Sequence, residues 1–301
     1  MQAFNFHSPV EPLHFPLFEE KGIRVSVKRD DLIHPFISGN KWRKLKHILQ
    51  AAQQSGQNHL VTFGGAWSNH LLATACAGAR FGFQTTAFVR GEPVSNPVLS
   101  LCRIFGMQLH FVSRSAYRNK EELFATHFGQ DQTACFIAEG GYSAQGAQGC
   151  GEILDELNDT YHHICCACGT GTTLAGLAMA AHTKGLSSEL HGVPVLAGGN
   201  FIVGAISELY PTLPANTVTL HTDYHFGGYA KHTEALNQFI QSFCAHTGIL
   251  IEPVYTGKLF YAVFDLIANN YFKPGQHILL LHTGGLTGML GMHEQIAKQP
   301  D

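Results

Sequence analysis

Apolar and polar positions alternate between two periods along the 301-residue chain. Short apolar, β-rich runs occur at 23–28, 59–63, 84–89, 108–112, 134–138, 162–167, 189–195, 217–221 and 277–282. Between them lie stretches with the period of a helix: 41–54, 68–81, 96–105, 116–128, 145–157, 172–184, 199–209, 231–246, 257–268 and 287–297. Strand followed by helix, repeated, predicts an α/β protein with parallel sheets. Nine strands are many for one sheet, so two sheets are expected, with a ligand between them. No linker, repeat or low-complexity tract divides the chain.

Composition narrows the function. Hydrophobic residues make up 45% and charged residues 14%, which suits a large core and argues against disorder. A formal net charge of -3 gives no invitation to nucleic acid or to an anionic membrane. No apolar run is long enough to span a bilayer. The start, MQAFNFHSPV, lacks the pattern of a signal peptide, and the eight cysteines lie mostly in apolar segments without scaffold spacing. Reduced, buried cysteines and a cytoplasmic protein are the expectation.

Four segments carry candidate chemistry. In YHHICCACGTGTTLAG, a strand ends at Cys168 and a helix follows Gly169, Thr170, Gly171, Thr172 and Thr173. Free N–H groups at a helix start, with threonine hydroxyls beside them, suit one terminal phosphate. The loop lacks the Lys-Ser/Thr of a Walker motif and the spacing of G-x-G-x-x-G. An ordinary strand-to-helix turn is the plainer reading. VTFGGAWSNH sets Ser68, Asn69 and His70 at a helix start, where they serve either as cap or as donors to an anion. EPVYTGK turns at Pro253 and offers the hydroxyls of Tyr255 and Thr256. HILLLHTGG ends a buried strand at Thr283 and Gly284, the strand end at which α/β proteins place ligands. Lys41, in FISGNKWRKL, stands at a helix start that repels cations, so it is either solvated or held there to react. A reactive lysine, a single-phosphate cradle and several loop donors together imply pyridoxal 5'-phosphate.

Two plainer features are set aside. HHICCAC could suggest a metal site through His162, Cys166 and Cys168, but the spacing is not that of structural zinc, and a buried strand is expected. RKLKH, at 43–47, reads as a solvated helix face.

KRDDLIHPFISGNKWRKLK, GGAWSNH, CGTGTTLAG, PVYTGK and HTGG occur in this order over roughly residues 20–292. With them the sequence resembles the family of 1-aminocyclopropane-1-carboxylate deaminases and D-cysteine desulfhydrases, fold type II, tryptophan-synthase-β-like enzymes. The resemblance implies two doubly wound domains with parallel sheets: a large cofactor-binding one from 1–52 and 139–301, and a small one, 53–138, inserted in it. It implies that Lys41 is the Schiff-base lysine, Asn69 the amide on the cofactor's ring hydroxyl, and Ser68 a contact to the substrate carboxylate. It also implies that residues 169–173 hold the phosphate and that Tyr229 and Tyr255 line the substrate pocket. Trp67, His70, Thr283 and Gly284 are further expected substrate contacts. Trp67 departs from the pattern, which has glutamine or tyrosine there. A small amino acid as substrate and a homodimer are implied as well.

Position 256 separates the two activities in this family. Ring-opening deaminases carry a glutamate there that faces the pyridine nitrogen. A carboxylate keeps that nitrogen protonated and the ring strongly electron-withdrawing. Thr256 carries no charge. The resemblance therefore points to β-elimination, with D-cysteine favoured and pyruvate, ammonia and sulfide as products. Ring opening, D-serine dehydration and racemisation are the alternatives, and a cofactor carrier without turnover is the alternative of another class.

Overall fold

The computed structural model describes residues 6–214 and 216–297. The strands, in chain order, are β1 (Val10–Leu13), β2 (Arg24–Lys28), β3 (His59–Gly64), β4 (Gln84–Arg90), β5 (Gln108–Val112), β6 (Ala134–Ile137), β7 (His163–Cys168), β8 (Glu189–Pro194), β9 (Val218–Leu220) and β10 (His277–Leu281). The helices are α1 (Pro16–Lys21), α2 (Asn40–Gln54), α3 (Asn69–Phe81), α4 (Pro97–Ile104), α5 (Lys120–Phe128), α6 (Ala144–Gly151), α7 (Thr172–Lys184), α8 (Phe201–Leu209), α9 (Glu234–Thr247), α10 (Thr256–Ala268) and α11 (His293–Ile296).

The strands form two sheets. One has six strands in the order β1-β2-β10-β7-β8-β9, the other four in the order β5-β4-β3-β6. Every pairing is parallel except β1 with β2. Crossover helices cover parallel strands on both faces, so their sequences run apolar without alternation. β7 and β10 are buried at every position, as HICCAC and HILLL require. All four strands of the smaller sheet lie within residues 59–137.

Each of the nine expected strands is present. β1 was not expected, because Pro12 interrupts it; it survives as an antiparallel edge strand, where a missing N–H is tolerated. Three expected helices are broken. The 116–128 stretch is a 3-10 turn and α5 separated by Asn119. The 145–157 stretch ends as α helix at Gly151 and continues as 3-10 turns. The 287–297 stretch, with Gly288 and Gly291, is a 3-10 segment followed by four helical residues. Among the described residues, no helix is long and apolar enough to cross a membrane.

The basic run after Lys41 corrects the sequence reading. Arg43 and Lys44 are buried, not solvated. Arg43 reaches Asp30 at 2.8 and 3.0 Å and also pairs with Glu156. Lys28 joins the same Glu156 at 2.7 Å. Arg43 is stably buried because two carboxylates satisfy its fork. The network ties β2, α2 and the segment after α6 together beneath the start of α2.

Candidate active site

A cavity of about 600 Å³ opens where the C-terminal ends of β7 and β10 meet the starts of α2, α3, α7 and α10. Its position follows from topology. Parallel strands send their loops to one end, and helices that follow point their N–H groups toward it.

Lys41 enters this cavity from the first turn of α2. The residue before the helix is Gly39, at φ 59°. A Cβ there would stand 1.8 Å from the Thr283 carbonyl oxygen, so only glycine lets α2 start this close to the loop after β10. The carbonyl of Thr283 in turn accepts the N–H of Asn40 at 3.2 Å. Burial holds the Lys41 amine well below its ordinary pKa, and the cation of Lys44, one turn on, lowers it further. Among the described residues, no carboxylate pairs with Lys41. A neutral amine in a cavity is a nucleophile and a proton acceptor. The question raised by a lysine at a helix start is therefore answered by its surroundings: burial and a neighbouring cation both favour loss of its proton there.

Lys44 was not expected in the site. It is buried, lines the cavity and donates to the Gly140 carbonyl at 3.1 Å. His70 lines the cavity too, with Nε2 at 2.8 Å from Thr62 Oγ1 and a buried Nδ1 that has no hydrogen-bond partner among the described residues. Burial first, then Lys41 and Lys44, push its pKa well down, so the ring is neutral.

The 169–173 loop lies between β7 and α7, and all five residues line the cavity. Gly171 precedes the helix at φ 82°. The first intrahelical bond runs from Ala175 N–H to Gly171, so the N–H groups before it are free of helical partners. Thr170 and Thr172 share a hydroxyl contact of 2.8 Å, and Asn40 Nδ2 donates to Thr173 Oγ1 at 3.1 Å. This is an anion cradle, joined by Asn40 to the helix that carries Lys41.

Ser68 is both cap and cavity residue: its Oγ accepts Leu71 N–H at 3.3 Å and its proton stays available. Asn69 Oδ1 accepts from Thr287 Oγ1 at 3.1 Å. That bond leaves the NH₂ group as the donor open to a ligand. Gly285, at φ 83°, passes so near that a Cβ would be 2.6 Å from Asn69 Nδ2. Thr283 and Gly284 line the cavity beside it. Trp67 stands at the mouth, 41% exposed, with its ring over Gly291.

Tyr255 and Tyr229 face each other across another wall, with ring centroids 6.1 Å apart at 76°. Lys258 fixes the Tyr229 loop by donating to the carbonyls of His225 at 2.8 Å and Gly228 at 2.7 Å. Tension is concentrated in this loop: Phe226 and Ala230 both take positive φ, a conformation that side chains other than glycine adopt at a cost.

Thr256 opens α10 directly behind the cavity wall. It is fully buried and is not part of the cavity lining; Glu252, Val254 and Tyr255 are. Its hydroxyl accepts Glu252 N–H at 3.0 Å and donates to Glu252 Oε1 at 3.2 Å. Both carboxylate oxygens of Glu252 are occupied, by the N–H groups of Val254, Tyr255 and Thr256 at 2.7–2.8 Å. Glu252 thus caps the start of α10, the position where a negative charge is favoured. Sequence reasoning missed it because it stands four residues before the helix. Arg90 and Glu139, also missed, come from the second sheet and the segment after β6.

The cavity fits pyridoxal 5'-phosphate. A buried lysine of lowered pKa, an anion cradle at a helix start and a free amide donor are the three groups the cofactor needs. The comparisons agree. Residues 5–284 match the family described as pyridoxal-phosphate dependent enzymes. A putative 1-aminocyclopropane-1-carboxylate deaminase of Thermotoga maritima is 30% identical, covering 93% of this chain and 94% of its own. The bifunctional mitochondrial D-cysteine desulfhydrase/1-aminocyclopropane-1-carboxylate deaminase of Arabidopsis thaliana is 26% identical over 92% of this chain and 76% of its own. A crystal structure of an ACC deaminase homologue superposes with a TM-score of 0.85 at 29% identity, covering 97% of this chain and 94% of that one. With its fold, its cavity and its sequence in accord, this chain belongs to the pyridoxal-phosphate dependent enzymes and uses that cofactor.

Proposed function

We propose that the protein eliminates the β-substituent of a small amino acid, D-cysteine first, and releases pyruvate, ammonia and sulfide with uptake of one water. The observation that carries this reading is Thr256. Its hydroxyl is committed to Glu252, and the Glu252 carboxylate is committed to the start of α10. Glu252 is the carboxylate that this wall presents to the cavity, and with both its oxygens taken up at the start of α10 it leaves no free carboxylate there to hold a ring nitrogen protonated; expulsion of a thiolate from Cβ needs a weaker electron sink than opening a cyclopropane.

When bound, the cofactor supplies an aldehyde for the substrate amine and a ring that withdraws electrons from Cα. The chain's own residues do the rest. The N–H groups and hydroxyls of 169–173 hold the phosphate, and the Asn69 NH₂ donates to the ring oxygen. Lys41 Nζ, its pKa lowered by burial and by Lys44, accepts the Cα proton. Ser68 Oγ, its lone pair turned to Leu71 N–H, donates its proton to the substrate carboxylate. Tyr255 and Tyr229 border the space of the leaving group. The division into a unit of 1–52 with 139–301 and an inserted unit of 53–138 belongs to the same proposal, supported by the confinement of the smaller sheet to residues 59–137.

One observation favours a second substrate class. Arg90 lines the cavity and has no ion pair among the described residues, and beside it Arg114, Arg118 and Lys120 border an adjoining cleft with Glu139 as its carboxylate. An amino acid with an anionic β-substituent is the substrate these cations suit.

The test is turnover by cofactor-loaded enzyme, with sulfide and pyruvate measured together. D-Cysteine is expected to yield both in equal amounts, and Lys41→Ala to lose at least about 10³-fold in rate along with the visible absorbance of the bound cofactor. A 2-oxo acid from 1-aminocyclopropane-1-carboxylate, with no sulfide from D-cysteine, would reject the elimination reading. Faster turnover of cysteate than of D-cysteine, lost in Arg90→Ala, would move the assignment to anionic substrates.

A further inference from the structure

The end of the six-stranded sheet remote from the cavity carries a second group of convergent side chains. His163 and Glu189 are the first residues of β7 and β8 and stand opposite each other in the parallel register. His191 is two residues beyond Glu189, so it projects from the same face. His163 and His191 are buried, while Glu189 is exposed.

Three atoms meet there. His163 Nδ1 is 3.0 Å from His191 Nε2. Glu189 Oε2 is 3.6 Å from the first and 3.8 Å from the second. The point equidistant from all three lies about 2 Å from each, the length of a zinc bond to nitrogen or to a carboxylate oxygen. The surroundings also match a metal centre. His191 Nδ1 contacts His221 Nε2 at 3.0 Å, so His221 can accept the proton that sets His191 to coordinate through Nε2. Phe272 packs 4.7 Å from the His163 ring and Tyr271 5.3 Å from the His221 ring, which gives an apolar wall. The exposed carboxylate of Glu189 marks the side from which an ion enters and at which water completes the coordination.

We propose that His163, Glu189 and His191 form a binding site for a divalent cation of zinc's preference, held by two imidazoles and one carboxylate. The ion clamps β7 to β8 at their starts. The catalytic loops leave the other ends of the same strands, so the site acts on the stability of the sheet and not on the reaction.

The site is tested with cofactor-loaded enzyme stripped by a chelator and titrated with Zn²⁺ alone. One ion per chain is expected, with a rise in Tm that grows with zinc concentration. Glu189→Gln, at an exposed position, and His163→Gln are each expected to weaken zinc binding at least about tenfold and to remove the rise in Tm. Co²⁺ in place of Zn²⁺ is expected to give the visible bands of a nitrogen and oxygen site without thiolate charge transfer, which separates it from the chain's eight cysteines. Absence of stoichiometric binding by the unsubstituted enzyme would overturn the proposal. Binding unchanged in both variants, or a thiolate spectrum with Co²⁺, would overturn it equally, and the imidazoles would then be a hydrogen-bonded chain only.

Discussion

The two ends of the six-stranded sheet are built from the same strands and have opposite characters. At the C-terminal ends, β7 runs into Gly169 and β10 into His282 and Thr283, and a cavity lies beyond them. At the N-terminal ends, β7, β8 and β10 begin with or near His163, His191 and His277; the first two rings contact each other and His163 meets Phe272, while His277 meets Tyr161 and Ser26. The difference is one of backbone polarity. Strand ends that feed helix starts offer unpaired N–H groups, which bind anions. Strand starts receive chain from helix ends, where exposed carbonyls favour cations and neutral imidazole. One end is therefore suited to a phosphate-bearing cofactor, the other to a metal ion or a packed row of rings.

Three substitutions would break or sharpen this contrast. The largest effect is expected from Gly39→Ala. The new methyl would overlap the Thr283 carbonyl at a backbone angle that alanine avoids, at a cost of about 3 kcal/mol. Chemical denaturation should show the loss, and activity should fall with it because the start of α2 moves Lys41. Activity retained alongside the lost stability would separate the glycine from the site. Thr287→Val is expected to act on the cavity alone. Without its hydroxyl the Asn69 amide loses the partner that orients it, worth about 1 kcal/mol, so cofactor affinity should fall roughly fivefold at unchanged Tm. Equal affinity in a cofactor titration would remove Thr287 from the site. Ser26→Ala, at the far end, should do the reverse. The buried Ser26–His277 contact of 2.9 Å is lost, stability drops by about 1 kcal/mol, and kcat stays as it was. A change in kcat would show that the two ends are coupled through the strands.

Local patterns in the sequence are enough for most of the fold. HICCAC and HILLL are apolar after their first histidine and short, which favours buried strands, and alternation with helical stretches such as 172–184 implied parallel crossover units. The glycine and threonine loop, the cap at Ser68 and the lysine behind Gly39 were also visible, because each is a feature of a few consecutive residues. β1 was not visible, since Pro12 argues against a strand unless an edge is available, and only the assembled sheet supplies one.

What the sequence determined by itself is therefore the kind of elements, their order and the chemical groups at their junctions. The tertiary structure decided which of those groups meet and in what state. RKLKH looks like a solvated face until Asp30 and Glu156 arrive from elsewhere to neutralise Arg43. Thr256 is a free hydroxyl in the sequence until Glu252 folds back onto it. Lys41 is an ordinary lysine in the unfolded chain. Burial, with Lys44 on the next turn, lowers its pKa, and desolvation of this kind exists only once distant segments have closed over the site.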